Sequence, residues 1–144
     1  MVFRALFTTV ICLCLTGCSY VYDVLAVVQD GRLTFTADED CVTMVEVRAE
    51  GGEVAQPGAG DDRHLTELGT FWYQQTEFAD RCKNTFPLAY GKKFEGTLTD
   101  RLGAVSAKPL LREVIFTIST SSGSTGYGSG RFIIHSDGSV ANLN

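Results

Sequence analysis

The chain is poor in histidine, proline and basic residues. Its 144 residues include two histidines, three prolines, and 12 lysines and arginines against 17 acids, giving a formal net charge of −5. An acidic chain without a basic stripe argues against a nucleic-acid partner. His64 and His135 lack the paired cysteine or histidine spacing of a zinc site. We therefore expect neither a metal nor another cofactor.

Catalytic motifs are also missing. No G-x-S-x-G nucleophile elbow occurs. His135, Ser136 and Asp137 are consecutive, and neighbouring residues of a strand point to opposite faces, so they form a poor triad. The glycine-rich segment Gly126–Gly130 precedes residues that read as a strand, whereas a phosphate-binding loop precedes a helix. The sequence predicts no catalytic residue and favours a protein that is not an enzyme.

The N-terminal 18 residues carry the most distinctive pattern of the chain. Met1–Arg4 is a short basic segment, Ala5–Leu15 is an uncharged apolar run, and Leu15-Thr16-Gly17-Cys18 ends it. The run is shorter than the ~20 residues of a spanning helix and has the form of an export signal. Its last four residues resemble the lipobox of bacterial lipoproteins. The resemblance implies a signal peptide at 1–17, cleavage between Gly17 and Cys18, and lipid on Cys18. An ordinary secretory signal cut nearby is the alternative.

The same resemblance implies where the protein resides. Two or more acyl chains, such as palmitate, anchor a protein stably, at about 0.8 kcal/mol per buried CH₂. Asp after the lipidated cysteine favours retention in the inner membrane in these lipoproteins, and Ser19 stands there. For a Gram-negative host we expect a single domain, 18–144, lipid-anchored at the periplasmic face of the outer membrane.

The lipoprotein interpretation accounts for three of the five cysteines and leaves two in the mature domain. Cys12 and Cys14 leave with the signal peptide, and Cys18 is lipidated. Because the periplasm is oxidising, the remaining pair, Cys41 and Cys82, is predicted to form a disulfide.

The mature chain shows short alternating runs of apolar and polar residues separated by Gly, Asp and Asn. This pattern predicts an all-β domain, an antiparallel β-sandwich or partly open barrel of about seven or eight strands. Asp30-Gly31 and Asp137-Gly138 are predicted hairpin turns. The predicted strands are 20–28, 32–37, 41–50, 71–78, 94–99, 110–120, 131–135 and 140–143.

Two segments are predicted to be loops. Residues 51–69 are rich in Gly and Pro, with a helical turn near His64–Leu68, and residues 121–130 are rich in Gly and Ser. A loop as long as 51–69 is either functional or mobile.

Aromatic residues are the best candidates for binding. Strict alternation places Trp72 on one face of its strand and Phe71 and Tyr73 on the other. One face must be core, and the other exposes Phe71 and Tyr73, with Tyr90 nearby, unless loops cover both faces. Exposed rings are common in contact sites for proteins and glycans. Tyr127 is a further candidate.

The C-terminal half carries a second, fainter resemblance. Pro87–Gly91, Lys108–Leu111, Tyr127–Ile134 and Asp137–Asn142 resemble small uncharacterised lipoproteins of alphaproteobacteria. That resemblance implies no activity.

Three functions follow as hypotheses. The first is a non-enzymatic binding or assembly accessory that contacts an envelope protein or glycan. The second is an immunity or inhibitor lipoprotein that inserts loop 51–69 or 121–130 into an enzyme. The third is a hydrolase of envelope polymers, which requires two acids, or an acid and His135, in one cleft.

Overall fold

The computed structural model describes residues 17–77, 82–96 and 103–143. Within them the chain forms one curled, mixed β-sheet of eight strands, a half-barrel, so the predicted all-β, partly open barrel is confirmed. Residues 1–16 of the predicted signal lie outside the described part. The elements are β1 Tyr20–Gln29, β2 Arg32–Ala37, β3 Met44–Ala49, α1 Arg63–Glu67, β4 Thr70–Gln75, β5 Leu88–Ala89, β6 Ile115–Ser122, β7 Gly126–Ile134 and β8 Val140–Leu143.

Strand β1 joins the two halves of the sheet, whose order is β4-β3-β6-β7-β1-β2-β5. Its first residues, Tyr20–Asp23, pair with β7 in parallel, and Val24–Gln29 then pair with β2 antiparallel. Strand β8 pairs with β7 along Arg131–Ile134, just past the point where β1 leaves. The Asn142 amide accepts from Ala26 N at 2.7 Å and donates to Ala26 O at 2.9 Å, which ties β1 to β8.

Both predicted Asp-Gly turns are confirmed. Asp30 and Gly31 have φ values of 50° and 74°, which suits the tight turn between β1 and β2. Asp137-Gly138 connects β7 to β8, with Gly138 N donating to His135 O at 2.9 Å.

The prediction of a loop over 121–130 is wrong. Strands β6 and β7 pair without a break as far as Ser122 and Gly126, so the connection is limited to 123–125. The glycines of β7 serve close packing rather than flexibility. A Cβ on Gly128 would overlap the Tyr22 ring, and one on Gly130 would overlap the carbonyl oxygen of Val24.

Several predicted boundaries also differ. Strand β3 begins at Met44 rather than Cys41, and β6 begins at Ile115 rather than Leu110. Residues 94–96 are not in a strand, and 97–99 lie outside the described residues, as does Phe78. The two-residue strand β5 was not predicted. Segment 51–69 does contain the expected helical turn, α1, whose first amides are capped when Asp62 accepts from Leu65 N at 3.1 Å.

Large aromatic side chains form the centre of the core. Trp72, Phe35, Phe116 and Phe132 are fully buried, with the Phe35 and Phe132 ring centroids 5.6 Å apart. The predicted disulfide Cys41–Cys82 is confirmed, and it joins the start of the β3 segment to the chain before β5.

Candidate functional site

The half-barrel has two ends with different chemistry. The start of β1, the end of β6 and the start of β7 meet at one end, which we call the anchor end because it follows Cys18. The start of β6, the end of β7 and the β1–β2 turn lie at the other, the far end. Since the eight residues of β6 are separated by seven steps of about 3.3 Å, the ends are about 23 Å apart.

Cys18 is exposed at the anchor end, and Ser19 alone separates it from β1. Gly17, the other residue of the predicted cleavage site, is also exposed. The first residue of β1 is fixed to the domain, because Tyr20 N donates to Thr125 O in the β6–β7 turn at 3.0 Å.

Two tyrosines of β1 pack over the glycines of β7 at this end. The Tyr20 hydroxyl donates to Glu39 Oε2 at 2.6 Å, and the Tyr22 hydroxyl lies 2.9 Å from Thr120 Oγ1. The Glu39 hydrogen bond raises the pKa of Tyr20 and lowers that of Glu39, while burial raises the pKa of Tyr22. The Tyr22 ring also meets the edge of Phe86. The anchor end is therefore fixed by side-chain contacts as well as by strand pairing.

The outer face of the anchor end carries exposed apolar groups. Val21 is 85% exposed and stands in register with Tyr127, which is 51% exposed. Of the aromatic candidates from the sequence, Tyr127 is thus on the surface. Sequence reasoning missed Val21, which stands beside Tyr127, and Tyr20 at the same end, although both lie within three residues of Cys18.

Phe71 is not available for binding, which corrects the expected exposed face. It is 3% exposed and its ring centroid lies 5.2 Å from that of Phe116. The pairing between β3 and β4 shifts register between Val47 and Arg48, so Phe71 is an extra residue with no partner of its own. This bulge turns both Phe71 and Trp72 into the core.

Tyr73 and Tyr90 lie on different sides of β4. Tyr73 is half-buried and lines a groove of about 340 Å³ with Gln74, Asp61, Lys93 and residues 104–107. Tyr90 packs against Trp72, 5.2 Å between ring centroids, and donates to Lys108 O at 2.8 Å. Burial raises the pKa of Tyr90. The structure therefore does not bring the four aromatic candidates into one site.

An ion pair holds the wall of the groove. Asp61, with its side chain 3% exposed, binds the Lys108 ammonium and accepts from Ser106 N at 2.8 Å and Gly58 N at 2.6 Å. Burial works against ionisation of this carboxyl, yet these donors prevail and lower its pKa to about 2. Val105 pairs with Tyr73, so the segment covers the edge of β4.

The far end contains an apolar pocket of about 330 Å³. It lies beside the β1–β2 and β7–β8 turns, and Arg112 stands among its apolar walls. Its apolar lining consists of Val28, Leu33, Tyr90, Pro109, Leu110, Ile134 and Val140.

An acid and a histidine do meet at the far end. His135 Nδ1 lies 3.3 Å from Glu113 Oε2, and Ser136 donates to Glu113 Oε1 from both its backbone N (2.6 Å) and its hydroxyl (3.2 Å). The Ser136 amide and His135 lower the pKa of Glu113. Both side chains are exposed, His135 at 43% and Glu113 at 51%, and Ser136 bonds to the acid rather than to the histidine. A serine nucleophile must bond to its histidine base, so this arrangement does not activate Ser136.

Within the described ranges, no group of three or more His, Cys, Asp or Glu side chains is placed to hold a metal ion. The same part of the chain contains no helix that is long and apolar enough to cross a membrane. Comparisons with protein-family models, with curated proteins and with solved structures returned no significant match.

Proposed function

We propose that the protein is an outer-membrane lipoprotein, anchored at the periplasmic face by acyl chains on Cys18, that serves as a non-enzymatic binding or assembly accessory. The observation that carries the anchor is the exposed cysteine at the end of Leu15-Thr16-Gly17-Cys18, one residue before the domain. A disulfide between the other two cysteines of the mature chain accords with an oxidising compartment.

Confinement to a membrane supplies the mechanism of such an accessory. A tethered domain meets other envelope components at a raised effective concentration, so weak contacts suffice for assembly. The groove beside Tyr73 offers a half-buried ring and the Lys93 side chain, while the Gln74 amide in its lining bonds to the backbone of Lys92 and Phe94. These groups suit an envelope protein or a glycan as the partner.

The two alternative functions gain no specific support. Residues 121–130 are a paired hairpin, and Asp61 of loop 51–69 is held by Lys108, so neither segment carries an observation that favours insertion into an enzyme. Glu113 and His135 meet on an exposed surface rather than in a cleft.

The anchor is tested with Cys18→Ser in the host, followed by membrane fractionation and labelling with an alkyne analogue of palmitate. We expect loss of the label and loss of outer-membrane attachment, with Ser19→Ala as the matched control that retains both. A Cys18→Ser protein that stays membrane-bound rejects the anchor.

The partner is tested by placing a photo-crosslinking amino acid at Tyr73, with Val54 as the control position, because Val54 is an exposed apolar residue outside the groove. We expect a discrete adduct from position 73 alone. Equal yields from the two positions argue against a specific contact at the groove.

A further inference from the structure

We propose that the anchor end is a membrane-contact surface in which Tyr20, Val21 and Tyr127 lie in the headgroup layer of the bilayer. This inference rests on the lipidation of Cys18 proposed above. It adds an orientation: the strands stand upright on the membrane, and the far end points away from it.

The short tether is the first reason. Cys18 and Tyr20 are two residues apart, a reach of about 7 Å. The polar layer on each side of the hydrocarbon core is itself about 5–8 Å thick. Tyr20 is held to the β6–β7 turn through Thr125 O, so the start of β1 cannot extend away from the domain without breaking its pairing with β7. A lipid on Cys18 therefore draws Tyr20 and residues 123–125 into this layer.

The composition of the surface is the second reason. Val21 is the most exposed of the large hydrophobic residues in the described chain, and its neighbour in register is the exposed ring of Tyr127. Tyr20 is 45% exposed at the same end, on the opposite face of β1, where its ring lies over Gly126. Tyrosine has an apolar ring and a polar hydroxyl, and it is enriched where the bilayer meets water. Together the three side chains match a headgroup layer better than open water.

The charged residues at the anchor end indicate which lipid headgroups it contacts. Glu39 binds the Tyr20 hydroxyl, with Asp38 and Asp40 on either side, and Asp23 follows on β1. The exposed Lys83 lies next to the disulfide. Because acids predominate among the described residues of this end, we do not expect attraction to anionic headgroups to contribute to its membrane contact. The contact depends on the aromatic and apolar groups, and zwitterionic lipid is the expected partner.

The orientation is tested with full-length lipidated protein purified from membranes. Its intact mass first establishes acylation of Cys18. It is then reconstituted in phosphatidylcholine vesicles containing a phosphatidylcholine with a photoreactive diazirine near the headgroup, and labelled peptides are mapped by mass spectrometry. Val54 and Leu68 are the controls, since they are 54% and 50% exposed and lie toward the far end.

We expect several-fold more label on the peptides carrying Val21 and Tyr127 than on those carrying Val54 and Leu68. The double variant Val21→Ser, Tyr127→Ser should lose most of this excess while keeping the acylated mass. Replacing part of the phosphatidylcholine with phosphatidylglycerol should lower the labelling.

Even labelling of all four peptides with Cys18 acylated overturns the contact surface and leaves the anchor intact. An unmodified Cys18 overturns both.

Discussion

The anchor end and the far end of the half-barrel use the same strands for different purposes. At the anchor end the tyrosines of β1 lie over β7 glycines, their hydroxyls contact Glu39 and Thr120, and a disulfide lies nearby. At the far end aliphatic side chains surround an open pocket, and the polar groups form an exposed cluster around Glu113. The contrast is between an end held by polar and covalent crosslinks and an end that presents an open apolar pocket.

Removal of the disulfide should give the largest loss. Cys41 and Cys82 are 41 residues apart in sequence, and in the chain-entropy model a crosslink of that length is worth about 4 kcal/mol. We expect the double variant Cys41→Ser, Cys82→Ser to lose most of that free energy of unfolding in urea, whereas Cys18→Ser should lose almost none. A loss below about 1 kcal/mol would show that the crosslink does not constrain the unfolded chain as the model assumes.

Gly130→Ala tests the close packing of β1 against β7. The new methyl group would overlap the Val24 carbonyl, so one of the two strands must shift, at a cost of about 3 kcal/mol. The control is Ser129→Ala, at an exposed neighbouring position, which should unfold like the wild type. In hydrogen exchange of Gly130→Ala, the amides that pair β1 with β7 should be the first to lose protection. Faster exchange confined to the far end would contradict this account.

Asp61→Asn tests the wall of the groove beside Tyr73. It leaves the Lys108 ammonium largely buried without its counter-charge, and removal of one partner of a buried pair costs about 3 kcal/mol. Glu50→Gln is the control, because the Glu50–Arg131 pair is exposed and worth much less, although hydrogen bonds from Arg131 and Thr117 also lower the pKa of Glu50 to about 2.

The same residue predicts a pH dependence. Since the pKa of Asp61 falls from its usual 3.8 to about 2 on folding, its stabilisation is full above the unfolded pKa and is lost as the pH drops toward 2. Unfolding of the wild type between pH 5 and pH 2, compared with Asp61→Asn, measures this contribution. We expect the free energies of unfolding of the wild type and of Asp61→Asn to converge as the pH falls toward 2. If they instead stay a constant distance apart, the pH dependence belongs to groups other than Asp61.

Tyr90→Phe should give the smallest of these effects. It removes the donor to Lys108 O beside the far-end pocket, which costs about 1 kcal/mol. Tyr127→Phe is the matched control, since its hydroxyl makes only a 3.3 Å contact with Ser124 O at the exposed anchor end. We expect Tyr90→Phe to lower the midpoint of thermal unfolding more than Tyr127→Phe does. A reversed ranking would mean that the Tyr127 hydroxyl has a structural role.

The sequence predicted the turns and the buried strand positions, because these depend on residues that are close together in the chain. Asp30-Gly31 defines its turn through glycine's tolerance of positive φ, and alternation places Val45 and Val47 in the core. The bulge at Phe71 depends on how β3 pairs with β4, which alternation within one strand does not contain. The role of Gly130 depends on Val24, more than 100 residues earlier in the chain. The sequence indicates the anchor, whereas the exposed neighbours Val21 and Tyr127 become a surface only once β1 lies beside β7.

The intact mass of the protein purified from membranes of its host tests the central claim most directly. The account predicts a chain that begins at Cys18, carries a diacylglyceryl group on its sulfur and an acyl chain on its amine, and retains the Cys41–Cys82 disulfide. A chain that retains residues 1–17, or one that begins elsewhere with no lipid on Cys18, would contradict the anchor and the orientation derived from it.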